Sequence, residues 1–185
     1  MNSTKVLKDI VASATGAKTH YDLWWAQVSD AKPKYAKVMN RHSDFFLASQ
    51  DAHYTAAFVY FAHLFDKRED SSSIPKYIDL IKKVTEQQVF QEHDSNCQTL
   101  AVRAKPLLII RHKLVVHIET KLSENDIFAD INLTWNEIRN TIHDVATYVE
   151  KLAGAPNHGA VGIPRNGRLS EATLRLFEEL NHIKN

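Results

Sequence analysis

The sequence contains few of the residues that cross-link small proteins or interrupt regular structure. Cys97 is the only cysteine among 185 residues, which excludes an internal disulfide and a zinc site built from several cysteines. Four of the five glycines fall between residues 153 and 168. No apolar run approaches the ~20 residues of a membrane-spanning helix, and no signal-like apolar segment follows the first residues. We therefore expect a cytoplasmic protein with no membrane partner.

The chain also lacks a strong net charge. The formal net charge is +1, which argues against a protein that coats nucleic acid indiscriminately. The distribution is uneven, because residues 101–121 contain five Lys/Arg against one Asp/Glu, whereas residues 122–150 contain one against six. Two interpretations stay open: the basic segment attracts a phosphate backbone, or the two segments face each other.

The apolar periodicity is helical along the whole chain, and no segment shows the sustained alternation of a strand. A hydrophobic fraction of 44% with 24% charged residues is typical of a soluble globular protein. We predict an all-α fold, a helical bundle over residues 1–152. A Gly/Pro-rich loop over 153–168 and a C-terminal helix over 169–185 follow, and this helix docks on the bundle or binds a partner.

Local signals give the expected helix boundaries. One short helix ends before Gly16, a second stops before Pro33, and a long helix over 43–66, with Phe45 and Leu47 among its core residues, forms the spine of the core. The serines at 71–73 with Pro75 predict a helix start.

Three more boundaries lie in the second half of the chain. A helix over 95–104 is expected to run into another that begins at Pro106. Thr134 and Glu137 fit a capping box, with Trp135 on the inner side of the helix that follows. Ser170 is a candidate cap of the last helix. The tryptophans lie in apolar stripes, so we interpret them as core rather than as platforms for nucleic-acid bases.

The most informative segment, 106–119, is apolar apart from a few charged and titratable residues. On a helix, Arg111 falls near the centre of the broad apolar arc, where an unpaired guanidinium would cost several kcal/mol. It must therefore meet a carboxylate, a partner subunit or an anionic ligand. His117 lies roughly 120° around the helix from Arg111 and about 9 Å further along it. The two side chains converge only through the length of the arginine, a distorted helix, or a second copy across a two-fold axis.

These residue types suit RNA cleavage without a metal. Such cleavage needs a base for the ribose 2′-hydroxyl, an acid for the leaving oxygen and cations for the charged transition state. His117 is the candidate acid/base, Arg111 the phosphate-binding residue, and His112 a third candidate catalytic residue. Lys113 and Glu119 are candidate substrate-binding residues, although the sequence favours an exposed helix-end role for Glu119.

The pattern from Arg111 and the polar His112 to His117 resembles the signature of HEPN proteins. The segment from Phe61 to Pro75 is similar to a stretch of their abortive-infection-associated, Abi U-type branch, and the likeness extends over about residues 15–155. The resemblance implies a HEPN-like antiparallel bundle with extra peripheral helices and a metal-independent endoribonuclease without cofactors. It also implies a homodimer and an antiviral-defence or toxin–antitoxin role.

The resemblance further implies an antitoxin or a nucleotidyltransferase as partner. In some HEPN proteins a nucleotidyltransferase modifies a tyrosine near the position that Glu119 occupies here. Two other functions remain open. One is a non-catalytic helical module that binds a protein or a nucleotide. The other is a metal-dependent hydrolase, for which His63 and Asp66 have a suitable spacing.

Overall fold

The structure, a computed structural model, describes residues 2–116, 131, 133–154 and 162–183, with the side chains of 114–116 excepted. The described residues contain helices and no strand, so the predicted all-α, HEPN-like fold is confirmed. None of the helices that the structure describes is long and apolar enough to cross a membrane. The helices are α1 (Ser3–Trp25), a π-helical turn (Ala26–Ala31), α2 (Lys32–Arg41), α3 (Ser43–His63), α4 (Ile74–Ile81), α5 (Gln87–Val116), α6 (Trp135–Gly154) and α7 (Arg168–His182).

The prediction that the first helix ends before Gly16 is wrong. Helix α1 continues to Trp25, and Gly16 lies against the ring of Tyr60 on α3. A Cβ atom at Gly16 would lie 2.6 Å from Cγ of Tyr60, closer than atoms can pack. The glycine therefore serves close helix packing, which outweighs the ~1 kcal/mol that glycine costs inside a helix.

Beside this contact, His20 of α1 stacks on Tyr60 with the ring centroids 5.6 Å apart. Its Nδ1 atom lies 2.8 Å from Nδ1 of His53 on α3, a hydrogen bond in which one ring must accept. Burial lowers the pKa of both imidazoles, which favours the neutral form that can accept.

Helix α3 forms the predicted spine but ends at His63 and is only partly buried. Phe58 and Phe61 are fully or almost fully buried in the core between α1, α3, α5 and α6. The expectation that Phe45 and Leu47 also belong to the core is wrong, since they are 67% and 65% exposed. The first turns of α3 project beyond the helices that cover its second half.

The predicted helix boundary at Pro106 is wrong, because Pro106 lies inside α5. Proline removes one backbone hydrogen bond, here to the carbonyl of Val102, and usually breaks or kinks a helix. Val102 is 61% exposed, so water can reach this side of the helix. Ala104, Leu107 and Ile110 on the opposite side are completely buried, and their packing holds α5 together across the proline.

The capping box before α6 is confirmed. Thr134 Oγ1 accepts a hydrogen bond from the backbone N–H of Glu137 at 3.2 Å, and the Glu137 carboxylate accepts from the N–H of Thr134 at 2.7 Å. The predicted inward position of Trp135 holds only in part: the residue is 37% exposed, and its ring packs against that of Trp24 with the centroids 5.1 Å apart. The cap places it at the first position of the helix, at the open end of the buried stripe of Ile138, Ile142 and Val145.

The Gly/Pro-rich segment separates α6 from α7, and residues 155–161 of it lie outside the described residues. The expected cap at Ser170 is wrong: Gly167 is the N-cap of α7, with φ 83°, and the Ser170 hydroxyl instead donates to Asp30 at 2.5 Å. Phe177, fully buried, packs against Phe46 with ring centroids 4.8 Å apart. Helix α7 thus packs on the π-helical turn and on the projecting end of α3.

A charged network is buried between α1 and α6. The Lys18 ammonium lies 2.5 Å from one oxygen of Asp22, and Nε2 of His143 lies 2.6 Å from the other, with Lys18 and Asp22 at most 5% exposed. Burial alone would raise the pKa of Asp22, but the hydrogen bonds and charges of His143 and Lys18 lower it overall. The ionised carboxylate therefore joins the two helices.

We expect Asp22→Asn to lower the free energy of unfolding by about 3–5 kcal/mol at pH 7, because the substitution leaves the buried Lys18 without its counter-charge. Urea unfolding measures the change. Asp144→Asn is the matched control: the ion pair of Asp144 with Arg103 is largely exposed, so its loss should cost at most about 1 kcal/mol.

The difference in unfolding free energy between the wild type and Asp22→Asn should also depend on pH. The folded pKa of Asp22 lies below its ordinary value of 3.8, so its contribution is complete above that pH and is lost as the pH falls through the folded pKa. The stability difference between the wild type and Asp22→Asn should therefore narrow in acid. A difference that stays constant down to the lowest pH would contradict the assignment.

Candidate functional site

A cleft of about 490 Å³ lies between the C-terminal end of α3 and the second half of α5. Helix α5 contributes Arg111 and His112, and the buried Leu107 and Ile110 in the preceding turn fix the rotation of this helix. The other wall is the end of α3 and the loop that follows it. The polar side chains that line the cleft are His63, Asp66, Arg68, Arg111 and His112.

Hydrogen bonds fix the loop between α3 and α4. The backbone N–H of Ile74 donates to the carbonyl of Leu64 at 2.9 Å, which closes the loop at its base. The Ser71 hydroxyl lies 3.0 Å from the carbonyl oxygen of Asp66 and 2.7 Å from that of Arg68. The serine cluster thus has a role in shaping this loop, and α4 starts directly after it as predicted, with Ser73 as the N-cap.

Asp66 and Arg68 form an ion pair at the edge of the cleft. The Asp66 carboxylate accepts hydrogen bonds from the backbone N–H of Arg68 at 3.0 Å and from its Nε at 2.9 Å. The backbone hydrogen bond is the largest cause that lowers the pKa of Asp66, and the guanidinium lowers it further. The carboxylate is therefore ionised at neutral pH and already bound to Arg68.

Arg111 is half-buried in the same cleft. Its Nε atom is buried and, among the described residues, has no hydrogen-bond partner. The sequence argument required a carboxylate, a second subunit or an anionic ligand for this guanidinium. Asp66, the one carboxylate among the described residues that line the cleft, binds Arg68, so within the described part of the chain Arg111 remains available to an anion.

The other predicted site residues have different outcomes. His112 is exposed and lines the cleft beside Arg111. Lys113 is half-buried and is not among the described residues that line the cleft. His117 and Glu119 lie outside the described residues, so their distances from Arg111 stay untested.

The sequence argument gave no catalytic or binding role to Arg68, and it considered His63 and Asp66 only as a pair of metal ligands. All three come from the segment that carried the second part of the resemblance. That segment was a usable signal, since it places charged residues directly after an apolar helix end. Among the described residues, no group of three or more His, Cys, Asp or Glu side chains converges to hold a metal ion.

A protein-family model, HEPN_AbiU2, described as AbiU2, matches residues 5–166. The chain belongs to this HEPN family. The AbiU2 match includes all of α2 to α6 and nearly all of α1, and therefore both walls of the cleft. Helix α7, from Arg168, lies beyond the matched residues. Searches of curated proteins and of solved structures gave no significant match.

We expect Ser71→Ala to lower the free energy of unfolding by about 0.5–1.5 kcal/mol, because the carbonyls of Asp66 and Arg68 lose a buried hydroxyl donor. Hydrogen exchange of the backbone amides at 68 and 71 should quicken with it. Ser95→Ala is the control, since Ser95 is exposed within α5 and alanine favours a helix. Equal stability of the two variants would contradict the role given to Ser71.

Proposed function

We propose that this AbiU2-family chain is a metal-independent endoribonuclease, active as a homodimer, that serves as a phage-defence effector or a toxin. Arg111 binds the scissile phosphate and stabilises its charge in the transition state. His117 acts as the acid/base, and His112 supplements the site. The family supports a HEPN-type module, and the cleft around Arg111 supports the chemistry.

The observation that carries this proposal is the position of Arg111. Its Nε atom is buried without an acceptor among the described residues, yet the side chain borders an open cleft large enough for a ligand. An arginine held for structure would meet a carboxylate, because leaving it unpaired costs several kcal/mol. A phosphate supplies the missing acceptors, since its oxygens match the planar fork of the guanidinium.

The other charges of the cleft also favour an anion. Arg68 is 72% exposed at its side chain and adds a second guanidinium at the edge, while Asp66 holds it in place. His63 and His112 are exposed and line the same cleft. Two arginines and two histidines thus line the described part of the cleft, against one carboxylate, Asp66, which is already paired with Arg68. This excess of nitrogen groups suits the phosphate backbone of RNA.

The reaction needs two proton transfers. A base removes the proton of the ribose 2′-hydroxyl, whose oxygen attacks phosphorus. The bond from phosphorus to the 5′-oxygen breaks, and an acid protonates that oxygen, which leaves a 2′,3′-cyclic phosphate and a 5′-hydroxyl. One histidine cannot serve as base and acid in the same step. We infer that two chains join so that the second copy of His117 completes the site.

We expect the purified protein to cleave RNA in the presence of EDTA and Arg111→Ala to slow cleavage roughly 10²–10³-fold, as for other lost transition-state donors. The cleavage rate of Arg111→Lys should lie between those of the wild type and Arg111→Ala, because lysine keeps the positive charge but loses the two-pronged hydrogen bonding of the guanidinium. Single-turnover cleavage of labelled RNA measures the rates, and thermal melting verifies the fold of each variant.

Arg103→Ala is the matched control for this experiment. Arg103 lies on the same helix, pairs with Asp144 at 2.8 Å and is not among the described residues of the cleft. Its removal changes the net charge equally and should leave cleavage near the wild-type rate. Activity that requires a divalent metal, or an Arg111→Ala variant as active as Arg103→Ala, would refute the mechanism. RNA binding without turnover by the wild type would support the non-catalytic alternative.

The dimer makes a separate prediction. When wild type and His117→Ala exchange subunits at equal amounts, a site shared between two copies should leave roughly a quarter of the activity, because only wild-type homodimers remain complete. Sites contained in single chains would leave roughly half. Light scattering during chromatography should give the mass of two chains, and a monomer that cleaves RNA at full rate would exclude the shared site.

A further inference from the structure

The only three tryptophans of the chain line a single second cleft. It measures about 590 Å³ and lies between the end of α1, the π-helical turn, the first half of α3 and the start of α6. Its aromatic lining is Trp24, Trp25, Tyr54 and Trp135. The sequence argument interpreted the tryptophans as core, but Trp24 and Trp25 are half-buried and Trp135 is 37% exposed.

The aromatic rings are arranged around Trp24. Its ring centroid lies 5.1 Å from that of Trp135 and 5.2 Å from that of Tyr54, with interplanar angles of 49° and 45°. Tyr54 and Trp135 meet at 69° with centroids 6.1 Å apart. The rings are therefore tilted against one another rather than stacked in parallel, so that together they form a curved aromatic wall of the cleft.

Polar side chains of both signs accompany the rings. Gln50 and Asp51 line the cleft from α3, and Lys32 and Ser29 line it from the opposite side. A π-helical turn, which supplies Ser29, is rare in proteins and common at functional sites. The cleft thus combines flat apolar surfaces with an ammonium, a carboxylate and an amide.

This combination selects among ligand classes. A quaternary ammonium fits an aromatic cage, but Lys32 lines this one and Arg139 lies over Trp25 at 5.0 Å, so a cation meets two positive charges against the single negative charge of Asp51. A nucleotide fits each group: its base stacks on indole, its amino hydrogens are donated to Asp51 or Gln50, and its phosphate pairs with Lys32. Among the bases, purines offer a larger stacking face than pyrimidines.

We propose that this cleft binds a purine nucleotide, either free or as one residue of a single-stranded RNA. It is separate from the cleft at Arg111. Gln50 and Asp51 lie about 20 Å along α3 from the His63–Asp66 end, at 1.5 Å per helical residue. The inference does not depend on RNA cleavage, because binding here uses none of the residues proposed for catalysis.

Intrinsic fluorescence tests the site directly, since every tryptophan lies in it. Titration of the wild-type protein with AMP and GMP should quench the emission saturably, whereas ribose 5-phosphate and inorganic phosphate should not. A 2′-O-methyl oligopurine, which lacks the attacking hydroxyl, forms the second arm. Tighter binding of the oligomer than of AMP assigns the site to RNA, and the reverse assigns it to a free nucleotide.

Calorimetry with three variants locates the binding. Trp135→Ala should weaken it roughly tenfold, since stacking of one base contributes about 1–3 kcal/mol. Phe45→Ala is the matched control, because Phe45 is an exposed aromatic residue of α3 that is not among the described residues of this cleft. Arg111→Ala should bind AMP as the wild type does, even if it no longer cleaves RNA.

Four results would overturn the proposal. The first is the absence of saturable binding by AMP, GMP and the oligopurine. The second is equal affinity in Trp135→Ala and Phe45→Ala. The third is equally strong binding of ribose 5-phosphate, which would reduce the site to an anion site. The fourth is loss of AMP binding in Arg111→Ala, which would place the nucleotide in the other cleft and leave the cleavage mechanism untouched.

Discussion

The close contact between α1 and α3 determines where the other helices lie. Gly16 brings the backbone of α1 against the ring of Tyr60, and His20 and His53 form a hydrogen bond in the same layer. Further along α1, the buried Lys18–Asp22 pair extends to His143 and fixes α6 on its other side. Apolar packing could be satisfied at several helix rotations, whereas these polar contacts are satisfied at one.

Helix α3 links the two clefts as a consequence of that contact. Its second half is enclosed by α1 and α5 and ends at the loop that presents Asp66 and Arg68. Its first half carries Gln50 and Asp51 at the aromatic cleft, and Tyr54 lines the same cleft from the middle of the helix. Helix α7 packs against the first half through Phe177, although it lies beyond the residues that match the AbiU2 model. The two clefts therefore share one rigid element while differing in chemistry.

The Arg111 cleft shows how burial and charge together make a site. Burial of Leu107 and Ile110 fixes the rotation of α5, and this rotation turns Arg111 toward the loop after α3. The loop offers a carboxylate, but the backbone and guanidinium of Arg68 already bind it. Within the described residues, the cost of an unpaired guanidinium is then left for a ligand to offset.

Local sequence signals predicted the features that are determined by residues close together in the chain. The helical period, the capping box of Thr134 and Glu137 and the helix start after the serines at 71–73 involve contacts within a few residues. The Arg111 and His112 pair was also visible, because an arginine on an apolar helical face is unusual, and the family resemblance rested on the same residues and is confirmed. The sequence by itself thus determined the all-α class, most helices and half of the cleft.

The tertiary structure alone decided the features that depend on residues far apart in the chain. Gly16 and Pro106 each carry a local signal to end a helix, and each lies inside one because buried contacts across the bundle outweigh that local cost. Trp24 and Trp135 are 111 positions apart, so no periodicity could show that they line one cleft. The pairing of Asp66 with Arg68 instead of Arg111 was likewise decided by the folded loop. Long-range packing fixes such choices, since it sets distances that the linear pattern leaves open.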